Sequence, residues 1–318
     1  MISFVGAGPG DFELITAKGI RRLQNADVVI YDRLASPLLL FYCKPSCRFV
    51  YVGKTPYQKT ITQQKINQLL LHAQAASTNV VRLKGGDPVI FGRLSEELKA
   101  VQRAGLQFEV VPGVTAASGI AAYAGVSLTE RMISSEVLFA SGKKKNNKTA
   151  DYSNFRPEQM ICLYMGIDAL PELVEALKKQ GFLPNTPVRI TSWGTTGFQE
   201  SVTGSLASIL PLVRVQEIKN PAMIMVGWAV AEEKGRDWFS TQPDFGERLL
   251  IVACRRPTIA ELIEYTENGA AVWWRQVGPM RDQRFDEVGT IYEAEHHFSN
   301  VLFADEAAQR YYAEQGVS

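Results

Sequence analysis

The stretch Ile2-Ser3-Phe4-Val5-Gly6-Ala7-Gly8-Pro9-Gly10-Asp11 begins with a short apolar run and ends in a cluster of glycines. A strand running into such a turn opens many α/β domains, and G-x-G-x-x-G at that place would cradle a dinucleotide phosphate. Here Asp11 stands at the third glycine position and Pro9 interrupts the turn. A carboxylate where a pyrophosphate approaches a helix N-terminus is electrostatically wrong. Asp11 reads instead as an N-cap or first-turn acid for the segment that follows. A nicotinamide-dependent oxidoreductase therefore lacks its fingerprint.

Outward from this turn, short apolar runs alternate with amphipathic stretches. Strands are expected at 2–5, 27–30, 49–52, 79–83 and 108–111, with helices at 16–24, 62–76 and 94–104. Strict alternation implies a mostly parallel sheet covered by helices, whose ligands sit at the carboxyl ends of the strands. After Val111-Pro112-Gly113 a second α/β block begins, with a small-residue helix at 115–124 and strands at 137–140, 161–164, 188–191, 199–203 and 222–226. The strand at 199–203 follows its predecessor too closely for a helical crossover, so this second sheet is expected to be mixed. The expected division is a first domain at 1–113, a second at 114–233, a linker at 234–246 and a C-terminal segment at 247–318. That last segment of about 70 residues is small for an independent core.

Composition narrows the partners. A formal net charge of +1 over 318 residues gives no basis for nucleic-acid binding. The chain carries no apolar run of membrane-spanning length and no basic leader, so a cytoplasmic protein is expected. Cys43 and Cys47 stand with three residues between them but have no second pair and no nearby histidine, Cys162 and Cys254 stand apart, and His72, His296 and His297 offer no metal-ligand pattern. Reduced cysteines and no metal are the expectation.

Two further turns resemble the first in placement. Arg82-Leu83-Lys84-Gly85-Gly86-Asp87-Pro88 ends one strand, and Val110-Val111-Pro112-Gly113-Val114-Thr115-Ala116 ends another. Adjacent glycines let the backbone approach a ligand closely, although a plain turn between strand and helix uses the same residues. The basic run Lys143-Lys144-Lys145-Asn146-Asn147-Lys148 is either a solvated loop or a lid that guides an acidic substrate. Asp32 and Lys54 each follow a strand of the first sheet, where turn residues are also common.

Together with Val29-Ile30-Tyr31-Asp32, Val52-Gly53-Lys54 and Tyr164-Met165-Gly166, these turns stand in an order that resembles the tetrapyrrole methylases, over about residues 1–232. The resemblance is greatest to members that methylate uroporphyrinogen III. It implies two α/β domains with S-adenosylmethionine between them, a homodimer, and two methyl transfers giving precorrin-2 for sirohaem or cobalamin. Carried over position by position, the cofactor contacts fall on Pro9, Gly85, Gly86, Asp87, Ile90, Thr115, Ala116, Met165 and Gly194. Asp32 matches the proton acceptor and Lys54 the proton donor. Arg131 matches a substrate-binding arginine, and Arg33, Lys54 and the lysine run are further candidates for the substrate's many carboxylates.

This chain departs from the family pattern at Glu130, where histidine is usual, at Leu94-Ser95 for two glycines, at Lys143 for histidine, and at Thr55-Pro56-Tyr57-Gln58. All lie on the expected substrate side and leave the cofactor motifs intact. The shared motifs do not separate this activity from that of a sister precorrin methylase, or from a non-catalytic tetrapyrrole-binding module. Residues 247–318 resemble the opening of uroporphyrinogen-III synthase through Leu249-Leu250-Ile251-Val252-Ala253-Cys254-Arg255-Arg256-Pro257 and Val301-Leu302-Phe303-Ala304-Asp305. The segment is much shorter than a whole synthase, and no synthase activity is expected of it.

Overall fold

A computed structural model describes residues 1–53, 61–143, 151–233 and 237–314. It divides into two compact units, Met1–Thr115 with Pro243–Ser318, and Ala116–Gln242.

In the first unit, β1 (Ile2–Gly6), β2 (Val28–Tyr31), β3 (Arg48–Tyr51), β4 (Val80–Lys84) and β5 (Phe108–Val111) form one sheet in the order β3-β2-β4-β1-β5. Every pairing in it is parallel. Helices α1 (Ala17–Gln24), α2 (Gln63–Ala76) and α3 (Leu94–Arg103) belong to this sheet's connections. Because successive side chains in a strand point to opposite faces, each strand feeds two cores. Ile2, Phe4, Val28, Ile30 and Val80 join the cluster with Ile66, Leu70 and Val101 of α2 and α3. Val5, Val29, Tyr31, Val81 and Leu83 join the other, with Phe12, Leu23 and the 3-10 segment Pro37–Tyr42. Arg22 and Lys18 hold the Glu109 carboxyl down at about 2 and so tie α1 to β5.

That second core does not stop at the N-terminal domain. The C-terminal segment forms a three-stranded parallel sheet, β12-β11-β13, from β11 (Arg248–Ala253), β12 (Ala271–Gln276) and β13 (Asn300–Phe303). With it go α7 (Ile259–Thr266), α8 (Arg284–Glu295) and α9 (Glu306–Glu314). Its Ile251, Trp273, Phe285 and Val288 belong to the same cluster as Val5 and Leu39. Phe41 stacks on Phe285 at 4.2 Å, and Phe285 meets Phe49 edge-on. Arg256 donates to the carbonyls of Leu40, Phe41 and Cys43, and Arg284 to those of Lys44 and Cys47. A segment too short to bury a core of its own completes one with its neighbour.

The second unit carries α4 (Ala116–Tyr123), α5 (Leu170–Lys179) and α6 (Ile209–Val215). Its five strands are β6 (Glu136–Ser141), β7 (Gln159–Tyr164), β8 (Pro187–Ser192), β9 (Glu200–Ser205) and β10 (Ala222–Val226). The sheet order is β6-β7-β10-β8-β9. Only β6 and β7 run parallel; β8 and β9 make the antiparallel hairpin expected from their short connection. No described helix is long and apolar enough to cross a membrane.

Candidate active site

The strand order creates the site in the first unit. β2 and β4 are neighbours, yet β2 connects toward β3 on one side and β4 toward β5 on the other. Open parallel sheets bind ligands where connections diverge in this way. The turns after β4 and its other neighbour, β1, are the glycine turns, and they meet as backbone. Gly8 N–H donates to Gly86 O at 3.2 Å and Gly86 N–H to Gly8 O at 2.7 Å. A Cβ on Gly113, after β5, would sit 2.4 Å from Gly86 O and 2.8 Å from the Gly6 Cα. Three strand ends thus approach one another more closely than any side chain permits.

Asp11 does what its place in the sequence predicts: its carboxylate accepts from Glu13 N–H at 2.9 Å and caps Phe12–Leu14. Asp87 likewise accepts from Val89 N–H at 2.8 Å. This fixes a loop that leaves Ile90 half-buried and exposes Val89 and Phe91. Phe91 and Arg93 hold positive φ angles of 51° and 54°, a conformation that costs energy outside glycine. Pro9, Gly85, Gly86, Asp87 and Ile90 are therefore together on one turn pair, and Thr115 ends the unit just beyond Gly113.

The second unit carries the remaining expected contacts. Tyr164 Oη accepts from Ala117 N–H at 3.2 Å, beside Ala116 at the start of α4. Met165 is exposed, with φ 53°. A Cβ on Gly142 would lie 2.8 Å from Met165 O, and one on Gly194 2.5 Å from the Ile120 side chain of α4. Gly194 thus has a packing reason to be glycine, independent of any ligand. Within the first unit, the backbone amides of the glycine turns with Ile90 as apolar surface suit a nucleoside bearing an amino-acid arm.

Asp32 follows β2 and accepts from Leu34 N–H at 3.2 Å and from Arg82 Nη2 at 3.1 Å. Sequence reasoning missed what lies behind it. Arg82 and Lys84, two apart on β4, share one face and both reach Glu97 on α3, at 3.1 and 2.9 Å. Glu97 is fully buried and the two cations nearly so, while Asp32 alone of the four is partly exposed. Burial, with Arg82 beside it, pushes the Lys84 ammonium below its ordinary value. Two cations and two carboxylates balance, as burial of charge requires. The available signal was Arg-x-Lys inside an apolar strand, which no solvated face explained.

Lys54 and Lys144, Lys145 and Lys148 lie outside the described residues. Lys143 pairs with Asp168 at 3.0 Å. Arg131 is exposed in the second unit. Glu130, which stands where the family uses histidine, bridges to Ser134 through its backbone. Arg33 does not stand open: it pairs with Glu295 of α8. No group of three or more metal-ligating side chains occurs among the described residues.

The glycine contact gives one direct expectation. A Cβ on Gly85 would meet the Leu34 Cβ at 2.6 Å and its backbone at 3.0 Å. Gly85→Val should therefore displace both this turn and the Asp32–Leu34 loop. It is expected to weaken S-adenosylhomocysteine binding at least about tenfold by calorimetry, the scale of a repacked contact of 1–3 kcal/mol. Unchanged affinity would remove Gly85 from the binding turn.

Comparison with known proteins follows this geometry. Residues 1–210 match the Tetrapyrrole (Corrin/Porphyrin) Methylases. The chain is 36% identical over 324 residues to the uroporphyrinogen-III C-methyltransferase of Bacillus subtilis (strain 168). That match takes in 97% of this chain, C-terminal segment included, but spans only 64% of the relative's length. To the uroporphyrinogen-III C-methyltransferase of Priestia megaterium it is 41% identical over 232 residues, 72% of this chain and 98% of that one. Among solved structures, the uroporphyrin-III C-methyl transferase of Thermus thermophilus complexed with S-adenyl homocysteine superposes with a TM-score of 0.63 at 33% identity. It covers 72% of this chain and 98% of that one.

Proposed function

The chain belongs to the tetrapyrrole (corrin/porphyrin) methylases, and we propose that it methylates uroporphyrinogen III twice, at C2 and C7, giving precorrin-2 and S-adenosylhomocysteine. The observation that carries this reading is the backbone contact of Gly6, Gly86 and Gly113 at the ends of β1, β4 and β5. It occurs in a chain 33% identical to a protein solved with S-adenyl homocysteine.

S-adenosylmethionine supplies a methyl group on a cationic sulfur, intrinsically ready for transfer. An electron-rich pyrrole carbon attacks that methyl in line; the new C–C bond forms as the S–C bond breaks, and its electron pair stays on sulfur. A proton must then leave the tetrapyrrole to restore conjugation. On this reading Asp32 accepts it, oriented by Arg82 and by Leu34 N–H. One proton is lost overall for each methyl gained, so Lys54, matched to the proton donor, acts only where a further proton shifts between tetrapyrrole positions. Pro9, Gly85, Gly86, Asp87, Ile90, Thr115, Ala116, Met165 and Gly194 hold the methyl donor. Arg131 takes a substrate carboxylate. The protein's share is to orient, to exclude water and to manage protons. We assign the product to sirohaem or cobalamin synthesis, carried out by a cytoplasmic homodimer.

The test offers the protein uroporphyrinogen III and, separately, an already dimethylated precorrin. Turnover of the first with two methyl groups gained is the expected result. Methylation of the second alone would assign a sister activity, and binding without methylation a non-catalytic module.

A further inference from the structure

Arg82 is held from three sides. Its Nε donates to Glu97 Oε1 at 3.1 Å, its Nη1 to the carbonyl of Leu83 at 2.8 Å, and its Nη2 to Asp32 Oδ2 at 3.1 Å. A guanidinium is a planar fork, so fixing Nε and Nη1 leaves Nη2 no freedom of direction. Glu97 is held in its turn. Its Oε1 also accepts from Gln63 of α2 at 3.2 Å, and its Oε2 accepts from Lys84 at 2.9 Å. This chain of contacts begins on α2 and α3, crosses β4 and ends on one oxygen of Asp32. The other Asp32 oxygen accepts from Leu34 N–H.

Stability alone does not account for these charges. Burying charge is costly, and well-packed apolar side chains commonly join a helix to a sheet as firmly as an ion cluster does. Leu94, Leu98 and Val101 of α3 already pack into the core shared with β1, β2 and β4. What an apolar contact lacks is a donor fixed in direction. Asp32, at the open end of the network, is 27% exposed, whereas the side chains of Arg82, Lys84 and Glu97 are 5% exposed or less. At its buried end, Lys84 is followed directly by Gly85, against which the Asp32–Leu34 loop lies.

We propose that Glu97 is a positioning residue for methyl transfer, which through Arg82 fixes the place and orientation of the Asp32 carboxylate beside the donor's glycine turn. The inference rests on the reading of Asp32 as the proton acceptor. Glu97 is fully buried and acts on the reaction only through Arg82. Without its carboxylate the charge that holds Arg82 Nε is gone, the fork is free to turn, and Oδ2 of Asp32 moves with it. A displacement of about 1 Å at a reacting group is enough to cost about a hundredfold in rate. Ground-state binding is untouched by such a shift, because the turns that hold the donor keep their own backbone contacts.

The test uses the full chain with uroporphyrinogen III and saturating S-adenosylmethionine. The rate is expressed per binding site counted by S-adenosylhomocysteine calorimetry, so an unfolded fraction does not enter it. Glu97→Gln leaves two buried cations to a single carboxylate, so the charge-balanced double variant Glu97→Gln/Lys84→Met is measured beside it. Each should lose about tenfold to a hundredfold in kcat per site. KM and S-adenosylhomocysteine affinity should stay within about twofold, a split that a merely structural role does not produce. Lys84→Met alone keeps the Arg82–Glu97 contact and should lose no more than about threefold. A double variant within about threefold of wild type in kcat per site overturns the proposal. So does an equal loss in Lys84→Met, or a double variant that binds no S-adenosylhomocysteine, which would make Glu97 a residue of the fold. Asp32→Asn separates the two readings. If it is inactive while the Glu97 variants turn over normally, only the positioning role fails; if it is active, both fail.

Discussion

Replacing Asp32 with alanine is expected to lower the methylation rate about 10²- to 10⁴-fold, the usual contribution of a positioned acid–base group. Affinity for S-adenosylhomocysteine should stay within about twofold. The expected contacts of that ligand rest on the glycine turns after β1 and β4, whereas Asp32 follows β2. Loss of the carboxylate removes one partner of Arg82, which keeps Glu97 and the carbonyl of Leu83, at 3.1 and 2.8 Å. The fold should therefore survive. Asp32→Asn sharpens the comparison, since it preserves the size and the hydrogen bond from Arg82 but accepts no proton at working pH. Both variants should lose turnover. An asparagine variant within about threefold of wild type would remove proton acceptance from Asp32 and leave it a turn residue.

The second large effect lies far from the chemistry. Phe285→Ala is expected to destabilise the first unit by about 3–5 kcal/mol, the cost of deleting a buried aromatic ring. Phe285 stacks on Phe41 nearly parallel, at 4.2 Å, and meets Phe49 at 5.3 Å. Arg256 and Arg284 flank its ring, each occupied by backbone carbonyls of the N-terminal domain. Truncation opens a cavity that these anchored groups cannot close by collapse. Denaturant unfolding of Phe285→Ala checks the magnitude, with Phe285→Leu expected to cost less. Because the core is continuous from Val5 to Trp273, the C-terminal segment and the N-terminal sheet should lose structure together. A loss under about 1 kcal/mol would mean that the segment is only loosely attached.

The sheets were legible because the N-terminal strands alternate with helices of clear periodicity and end in glycine or proline turns. The cap at Asp11 was legible because it depends on its immediate neighbours. The mixed second sheet followed from the length of a single connection. What the sequence concealed depends on partners distant along the chain. Arg82 and Lys84 stand out in an apolar strand, but only Glu97, brought from α3, shows what pairs them. Arg33 reads as an open substrate cation until Glu295 is brought beside it. Helix α8 is hard to read from the sequence although Phe285, Val288 and Tyr292 keep helical spacing. Gly289 weakens its signal, and the structure supplies the reason for that glycine: a Cβ there would lie 3.2 Å from the Trp273 indole nitrogen. The fusion of the C-terminal segment with the N-terminal core was equally hidden, since nothing local to Phe41 names Phe285 as its partner.

Isotope transfer reads methylation of the tetrapyrrole carbon itself. The full chain is incubated without oxygen with uroporphyrinogen III and S-adenosylmethionine deuterated in its methyl group, and the tetrapyrrole is analysed by mass. The expected product carries two labelled methyl groups, with two molecules of S-adenosylhomocysteine released for each tetrapyrrole consumed. Recovery of uroporphyrinogen III bound but unlabelled would contradict the proposed activity.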